Sequence, residues 1–449
     1  MTSGPRRWLE RAHPLAFALF AGLAGFCAYF SMYAFRKPFA AATFGVVEGW
    51  SFAIDYKIAL VLAQVIGYAA SKFIGVKVIS EIAPARRGAA ILGLIGASWL
   101  ALLAFAMIPA PWNVLALFLN GLPLGMIWGL VFGYMEGRRT SEVLGAILCA
   151  SFILSSGVVK SVGKWLMSDI HVSAFWMPAA TGAVFMPLLA VSVWALTQLP
   201  PPNAEDEAAR VRRQPMDSAQ RRAFLATYAP GIVLLVLSYI LLTALRDFRD
   251  NFAAEIWTTL GFGEASDVFT ASELPVAVIA LGVLGAVMLV RDNLRALLVM
   301  HGVILVGFVT LGLSTLAFQA HMLSPLTWMI LTGAGIYMAY TPFNAMLFDR
   351  MVAYSGQVGT AGFLIYVADA SGYLGSVALL IWRNFAMVAL DWLNFFVASI
   401  YATSLVGAAC TLLAGLYFLR RSRVKSKDRA MASPQQGGPE GRLAPNTQA

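Results

Sequence analysis

The chain alternates between long apolar segments and short polar ones over almost its whole length. A helix needs about 20 apolar residues to cross the hydrocarbon core of a membrane. Twelve segments of about this length lie between Pro14 and Leu419, and we predict that each is a membrane-spanning helix. The predicted ranges are 14–35, 57–79, 88–108, 111–134, 142–166, 173–198, 225–247, 268–290, 294–316, 323–348, 357–382 and 393–419.

The longest polar segment before the C-terminal tail, Pro200 to Arg222, follows the sixth span and carries a PPP run and a charge cluster. Such a segment is typical of a linker. The fourth and tenth spans are both rich in glycine, which suggests that the segments before and after the linker are related. The pattern predicts an all-α integral membrane fold of two pseudo-symmetric six-helix halves around a central cavity. The predicted division is an N-terminal half at 1–198, a cytoplasmic linker at 199–224, a C-terminal half at 225–420, and a disordered basic tail at 421–449.

Composition agrees with a membrane protein. Of the 449 residues, 59% are hydrophobic and 12% charged, and the mean hydropathy is +0.73. A soluble domain carries about 25% charged residues, so lipid must cover much of this surface. The sequence has no nucleophile–base pairing, no metal-ligand spacing and no cofactor fingerprint, which argues against an enzyme, a metal site or a bound cofactor.

The loops predict the orientation. Lys and Arg are concentrated in both tails and in the loops that join even to odd spans, whereas the opposite loops carry acids such as Glu48 and Asp169. The positive-inside rule then predicts that both termini are cytoplasmic, in a multi-pass protein of the cell's inner (plasma) membrane. The net charge of +9 is explained by this topology, so nucleic acid binding is not expected.

Cations inside the spans are candidates for function, because a charge at the membrane centre costs about 2.5–3.5 kcal/mol on insertion scales. Arg36 and Lys37 lie within a long apolar segment, and Arg246 lies at the equivalent place in the seventh span. The two-fold relation of the halves predicts that they face each other, where Arg suits a bidentate clamp on phosphate or carboxylate. The alternatives are an interface anchor for the first pair, and an ion-pair cluster around Arg249.

Lys72 lies in the second span, one turn after Tyr68, and is either a substrate contact or a lysine that reaches the cytoplasmic interface. Tyr33 flanks the Arg36 pair. In the fifth span we expect Lys164 to be an interface anchor, and Lys160 has no assigned role.

Two acids, Glu273 and Asp369, lie inside the eighth and eleventh spans. Each is a candidate counter-ion for Arg246 or Lys37, or a protonatable coupling site, because burial raises the pKa of a carboxyl group. For Glu273 we favour the ion pair, and for Asp369 both roles stay open.

Several motifs occur in order along the chain: YAFRKPF, GYAASKFIG, LRDF with Asp250 shortly after it, Glu273 before Pro275, and GTAGF followed by GYLG. With them the chain resembles the organophosphate:phosphate antiporters of the major facilitator superfamily, which include glycerol-3-phosphate and hexose-phosphate transporters. The fifth span lacks the histidine of the glycerol-3-phosphate antiporters, and Asp369 is outside the family pattern, so the resemblance is to a divergent branch.

The residues and the resemblance together imply a secondary active transporter of a small anionic, phosphorylated solute, exchanged for phosphate by alternating access. The alternatives are a proton-coupled organic-anion symporter that uses Asp369 or Glu273, and a transporter-like sugar-phosphate sensor. The expected partners are the solute and the lipid bilayer, with the protein working as a monomer. The predicted substrate-binding residues are Arg36, Lys37, Arg246, Lys72, Tyr33 and Tyr68, and the predicted counter-ion or coupling residues are Glu273, Asp250 and Asp369.

Overall fold

The computed structural model describes residues 4–135, 138, 141–202, 206, 218–355, 362–387 and 389–432, and these residues form an all-α protein. Most of the predicted linker, the end of the tail from residue 433, and the start of the GTAGF motif lie outside the described residues.

The N-terminal half begins with a short helix and continues with the helices of the first six predicted spans. Between them, short 3₁₀ helices cover Pro38–Ala41 and Pro84–Arg86. The helices are α1 (Gly4–Arg11), α2 (Pro14–Tyr33), α3 (Tyr56–Glu81), α4 (Arg87–Met107), α5 (Asn113–Leu124), α6 (Ile127–Phe132), α7 (Ser141–Ser168) and α8 (Met177–Thr197).

The C-terminal half repeats this order. Its last helix continues to Ala432, so residues 421–432 of the segment predicted as a disordered tail are helical. The helices are α9 (Ser218–Asn251), α10 (Ala253–Thr259), α11 (Val268–Met288), α12 (Asn293–Gln319), α13 (Pro325–Ala345), α14 (Leu347–Ser355), α15 (Gly362–Ala386) and α16 (Trp392–Ala432).

Membrane-length helices match the predicted spans. Among the described residues, nine helices are long and apolar enough to cross a membrane. Three further helices complete the predicted twelve: α3 has 26 residues, α13 has 21 and α15 has 25, and at 1.5 Å per residue each spans about 30 Å or more. The protein is therefore a multi-pass membrane protein, as predicted.

The packing of the helices confirms the two pseudo-symmetric halves. In the first half α2 packs on α7 and α8, and α5 packs on α3 and α4. In the second half α9 packs on α15 and α16, and α13 packs on α11 and α12. The largest contacts between the halves include an equivalent pair of pairs, α7 with α11 and α3 with α15, as a two-fold relation between the halves requires.

The fourth and tenth spans are each broken, although the sequence predicts one continuous helix for each. Pro123 lies at the end of α5, before α6 begins at Ile127, and Pro342 lies at the end of α13, before α14 begins at Leu347. Proline removes a backbone N–H donor and its ring clashes with the preceding turn. The first break follows a helix of 12 residues and the second a helix of 21 residues.

The halves approach most closely where α7 meets α11. A Cβ on Gly157 of α7 would lie 2.6 Å from the backbone oxygen of Phe269 and 2.8 Å from the Cβ of Glu273. No real side chain fits these distances, so glycine permits the contact. Below, the distal end is the end of the bundle that holds residues 42–55, and the proximal end is the one where α2 begins and α16 ends.

Candidate functional site

The first span ends at a fixed break that positions Arg36 and Lys37. Helix α2 stops at Tyr33, and Pro38 starts a 3₁₀ helix. Carbonyl groups at the end of a helix need hydrogen-bond donors, and two buried amide side chains supply them. Gln64 Nε2 donates to the backbone oxygen of Arg36 at 2.9 Å, and Asn120 Nδ2 donates to that of Phe35 at 2.9 Å.

Arg36 is buried, with 8% of its surface exposed. Its guanidinium lies 3.8 Å from the ring centroid of Tyr68 and 5.9 Å from that of Tyr33, a cation–π arrangement. Its Nε has no hydrogen-bond partner. Arg36 forms no ion pair with any acid in the described part of the chain. Six other cations at or near the interface of the halves each form an ion pair with a carboxylate, namely Lys37, Lys57, Lys72, Lys160, Arg246 and Arg249.

Lys37 points to the other half of the molecule. Its Nζ lies 2.5 Å from Asp250 Oδ2 and donates to Asn251 Oδ1 at 2.9 Å. The same carboxylate binds Lys160 of α7, whose Nζ lies 2.7 Å from Asp250 Oδ1. Ser156 of α7 also donates its hydroxyl to Asp250 Oδ1. Lys160, which the sequence left without a role, is therefore part of the cluster.

Arg246 of α9 is neutralised by its neighbour in sequence. Its NH2 nitrogen lies 2.7 Å from Asp247 Oδ1, and Ser376 of α15 donates to Asp247 Oδ2 at 2.8 Å. The Arg246 guanidinium lies 4.3 Å from the ring centroid of Tyr340. Arg36 and Arg246 thus each lie against a tyrosine ring, but only Arg246 is paired with a carboxylate.

Lys72 of α3 reaches across to the second half and binds Asp369 of α15, with Nζ 2.5 Å from Oδ2. The hydroxyl of Tyr239 donates to the other oxygen of Asp369 at 2.5 Å. Tyr373, four residues after Asp369, lies 5.0 Å from Lys72 Nζ by its ring centroid. Lys72 and Asp369 are 26% and 20% exposed in their side chains, more than the other inter-half pairs.

The sequence predicts that Glu273 pairs with Arg246 or Lys37, but it pairs with neither. It binds Arg249, whose NH1 lies 2.5 Å from Glu273 Oε1, while NH2 donates to the backbone oxygen of Met329 in α13 at 3.0 Å. Arg249, three residues after Arg246 on α9, directs its guanidinium to α11 and α13. The outcome is an ion pair within the second half.

A further buried pair, missed by the sequence analysis, joins the halves nearer the distal end. Lys57 of α3 lies 2.6 Å from Glu255 Oε1 and donates to the backbone oxygen of Ala40 at 3.0 Å. Lys57 is 1% exposed. Lys57 is the first residue of its predicted span, 57–79, where it looks like an interface residue, so only its burial identifies it as part of the site. It lies 15 residues before Lys72 in α3, about 22 Å along the helix.

The cations and acids of this cluster are divided unequally between the halves. In the described residues, seven cations face five carboxylates, so two positive charges are in excess. The carboxylates all come from the second half. The cations are Arg36, Lys37, Lys57, Lys72 and Lys160 from the first half and Arg246 and Arg249 from the second, and the acids are Asp247, Asp250, Glu255, Glu273 and Asp369.

The predicted residues therefore meet at the interface of the halves, with Tyr33 and Tyr68 beside Arg36.

Two cavities lie at the distal end: one of about 1060 Å³, which Lys164 helps to line, and one of about 480 Å³ between residues 45–58 and α15. Within the described residues, no group of His, Cys, Asp and Glu is arranged to hold a metal ion.

A family model described as a family of unknown function, DUF5690, matches residues 38–421. A comparison with curated proteins gave no match.

Solved structures similar to this chain are transporters. A D-xylose–proton symporter is 16% identical, with a TM-score of 0.58 over 90% of this chain and 97% of that one. A bacterial homologue of the human drug peptide transporters PepT1 and PepT2 is 14% identical, with a TM-score of 0.57 over 90% and 98%. The nucleoside transporter NupG is 14% identical, with a TM-score of 0.56 over 88% and 98%. These similarities establish the major facilitator fold for this chain.

Proposed function

Since the chain belongs to DUF5690, a family of unknown function, and has the major facilitator fold, we propose that it is a secondary transporter of a small anionic, phosphorylated solute. The solute is exchanged for inorganic phosphate by alternating access of the inter-half site to the two sides of the membrane. The protein works as a single chain in the inner membrane, with both termini in the cytoplasm.

The observation that carries this proposal is the excess of buried cations over carboxylates. A charge removed from water is costly unless an opposite charge and hydrogen bonds compensate it. Arg36 is buried on tyrosine rings without an acid, so the site is most stable when an anion is added. A planar guanidinium binds the oxygens of a phosphate or carboxylate in pairs.

The excess of two positive charges in the site favours a phosphate group as the anionic part of the solute. A phosphate ester carries a charge of about −1.5 to −2 at neutral pH, which matches the two positive charges in excess. Inorganic phosphate has a similar charge and the same oxygen geometry. One site can therefore hold either partner of an exchange, but not both at once.

The inter-half pairs support alternating access. Lys57–Glu255, Lys37–Asp250 and Lys160–Asp250 tie the halves together toward the distal end. The Lys72–Asp369 pair lies deeper and is more exposed. Each pair joins a first-half lysine to a second-half acid, so a solute that binds the lysines frees the acids and lets the halves rotate.

Transport in liposomes tests the proposal. Purified protein is reconstituted into liposomes loaded with inorganic phosphate, and uptake of radiolabelled phosphate, glycerol 3-phosphate and hexose 6-phosphate is measured without a pH gradient. We expect uptake that needs internal phosphate and is lost in Arg36→Ala. Uptake by Arg36→Ala at the rate of the unchanged protein contradicts the proposal.

A second candidate function rests on Asp369. Its carboxylate is held by Lys72 and Tyr239 at a partly exposed position, where a proton can be exchanged with water. In this alternative the protein is a proton-coupled organic-anion symporter. The symporter takes up its anion along a pH gradient with no internal phosphate, and Asp369→Asn abolishes gradient-driven uptake but keeps exchange.

A further inference from the structure

Arg383 is a buried cation that lies apart from the central cluster. It stands in the last turn of α15, 14 residues after Asp369, which is about 21 Å along the helix. Only 8% of its surface is exposed, and no acid in the described part of the chain forms an ion pair with it. Its NH1 donates to the backbone oxygen of Met387 at 3.2 Å, and its Nε has no hydrogen-bond partner. A guanidinium has five N–H donors, so this contact leaves most of its binding capacity unused.

The side chain of Arg383 lines the distal cavity of about 480 Å³. Ligand pockets usually have volumes of about 300–1,000 Å³, so a small molecule fits here. The walls come from both halves, because residues 45–58 of the first half face the end of α15 and the start of α16. Asn384 joins these walls directly, since it accepts from the backbone N–H of Asp55 at 2.8 Å and donates to the backbone oxygen of Ala53 at 3.3 Å.

Two tryptophans give this cavity fixed apolar walls. Trp50 of the first half donates its indole N–H to the backbone oxygen of Ile54 at 2.8 Å. Trp392 of the second half stacks on Phe252, with ring centroids 4.5 Å apart. The Arg383 guanidinium lies 4.6 Å from the ring centroid of Trp392. The walls are therefore held in place by contacts within the protein, as in a pre-formed ligand site.

Asp55 supplies a negative charge to the same cavity. Its Oδ1 accepts from the backbone N–H of Ile58 at 3.0 Å, which fixes the carboxylate at the start of α3. Asp55 and Arg383 both line the cavity but form no ion pair with each other. A separated cation and anion around a ligand-sized space suit a ligand that carries both charges, because an oxyanion pairs with the guanidinium and an ammonium group with the carboxylate.

We propose that this cavity is a second binding site, the distal site, for a small zwitterion that carries an oxyanion and an ammonium group. Arg383 binds the oxyanion, Asp55 binds the ammonium group, and Trp50 and Trp392 contact the atoms between them. The same chemistry occurs in free phosphoethanolamine and in the headgroup of phosphatidylethanolamine.

A zwitterion in the distal site contacts both halves, so it binds best when the distal end is closed and favours that state. We therefore expect it to slow exchange without competing for the central site. This consequence rests on the proposed function, whereas the distal site itself does not.

Binding of free phosphoethanolamine to the full-length protein in detergent is the first arm of the test. Calorimetry and thermal shift are carried out on Arg36→Ala, so that the arginine of the central site does not contribute. Ethyl phosphate, which lacks the ammonium group, is the matched ligand. We expect phosphoethanolamine to bind about tenfold tighter than ethyl phosphate, because it makes a second charged contact. Addition of Arg383→Gln should weaken its binding by about tenfold or more.

The second arm uses lipid. The protein is placed in nanodiscs that contain phosphatidylethanolamine and phosphatidylglycerol, and native mass spectrometry measures which lipid it retains. A preference for phosphatidylethanolamine that Arg383→Gln abolishes, without binding of free phosphoethanolamine, assigns the distal site to a lipid headgroup. The reverse result assigns it to a free zwitterion. Absence of an Arg383-dependent preference in both arms overturns the distal site.

Asp55→Asn covers the case in which Arg383→Gln does not fold, since asparagine caps a helix about as well as aspartate. It is expected to abolish the preference for the ligand with the ammonium group. Asp391→Asn is the matched control, because Asp391 also accepts a backbone N–H, that of Asn394 at 2.7 Å, but does not line the cavity. An equal loss in Asp55→Asn and Asp391→Asn, or no loss in Asp55→Asn, overturns the distal site.

The two proposals fail separately. Exchange that depends on Arg36, without Arg383-dependent binding of a zwitterion, leaves only the proposed function standing. Arg383-dependent binding of a zwitterion without any exchange leaves only the distal site.

Discussion

The two six-helix halves share one arrangement of helices but bring opposite charges to the interface between them. In the described residues, the first half contributes five cations and no carboxylate to the cluster, whereas the second half contributes two cations and five carboxylates. The inter-half pairs all join a first-half lysine to a second-half acid. The halves therefore attract each other, while the surplus positive charge stays on the first half.

One position shows how a small difference in sequence creates this contrast. Arg36 and Arg246 end equivalent spans, but Arg36 is followed by Lys37 and Arg246 by Asp247. Asp247 neutralises Arg246 within its own half. Lys37 adds to the charge of Arg36 and turns to the opposite half for a partner. Under the proposed function, we therefore expect the solute's anionic group to bind chiefly to the first half, with a smaller contribution from Arg246.

The largest expected effect comes from the comparison of Arg36→Ala with Arg246→Ala. Arg36→Ala should lower solute affinity by about 100-fold or more, because hydrogen bonds to a charged group contribute about 1.5–3 kcal/mol each and a bidentate pair makes two. Arg246→Ala should lower it less, because Asp247 already neutralises that arginine. Calorimetric titration with phosphate measures both, and equal losses would falsify the proposed asymmetry. Arg36→Lys should also bind poorly, because the planar fork is lost.

The attraction between the halves can be broken at Lys57 and Glu255. Glu255→Ala leaves a buried lysine without its partner and is expected to lower stability by about 3–5 kcal/mol, measured by thermal unfolding in detergent. In the double variant Lys57→Met/Glu255→Met, two apolar side chains replace the pair and most of the stability should return. If the double variant is as unstable as Glu255→Ala, the loss does not come from an uncompensated charge.

Close contact between the halves can be disturbed without changing any charge. Gly157→Ala places a methyl group 2.6 Å from the backbone oxygen of Phe269 and should cost about 1–3 kcal/mol. Gly285→Ala in α11 is the matched control, because no atom lies within 4 Å of its added Cβ. Thermal unfolding of both variants separates the inter-half clash from a general effect of alanine in a helix, and equal stabilities rule out the clash.

The smallest expected effect concerns the tyrosine faces beneath the two arginines. Tyr68→Leu removes the ring 3.8 Å from the Arg36 guanidinium and should weaken phosphate binding by about 0.5–2 kcal/mol. Tyr68→Phe keeps the ring face and should retain affinity. Tyr340→Leu removes the ring 4.3 Å from the Arg246 guanidinium and should matter less. Titration of the three variants checks the order, and an equal loss in Tyr68→Phe assigns the effect to the hydroxyl group.

Most of the fold follows from the sequence, because hydropathy and loop charge are local properties. The twelve predicted spans match helices within about five residues, apart from the proline breaks after Leu124 and Ala345, the end of α14 at Ser355 and the continuation of α16 to Ala432. Helix α9 begins at Ser218, so residues 218–224 of the predicted linker are helical. The equivalent positions of Arg36 and Arg246 also follow from the sequence, because they are found by counting residues along two related spans. The ion pairs do not, since Lys72 and Asp369 are 297 residues apart and Lys57 and Glu255 are 198 apart.

The sequence by itself determined that this chain crosses a membrane twelve times in two related halves, and that cations lie inside its spans. It could do so because each span is selected by its own run of about 20 residues. Only the tertiary structure decided which acid meets which cation. That choice depends on the faces that packed helices turn toward each other, within a half and between the halves. The tertiary structure placed Glu273 on Arg249, brought Lys160 to Asp250, and left Arg36 without a carboxylate.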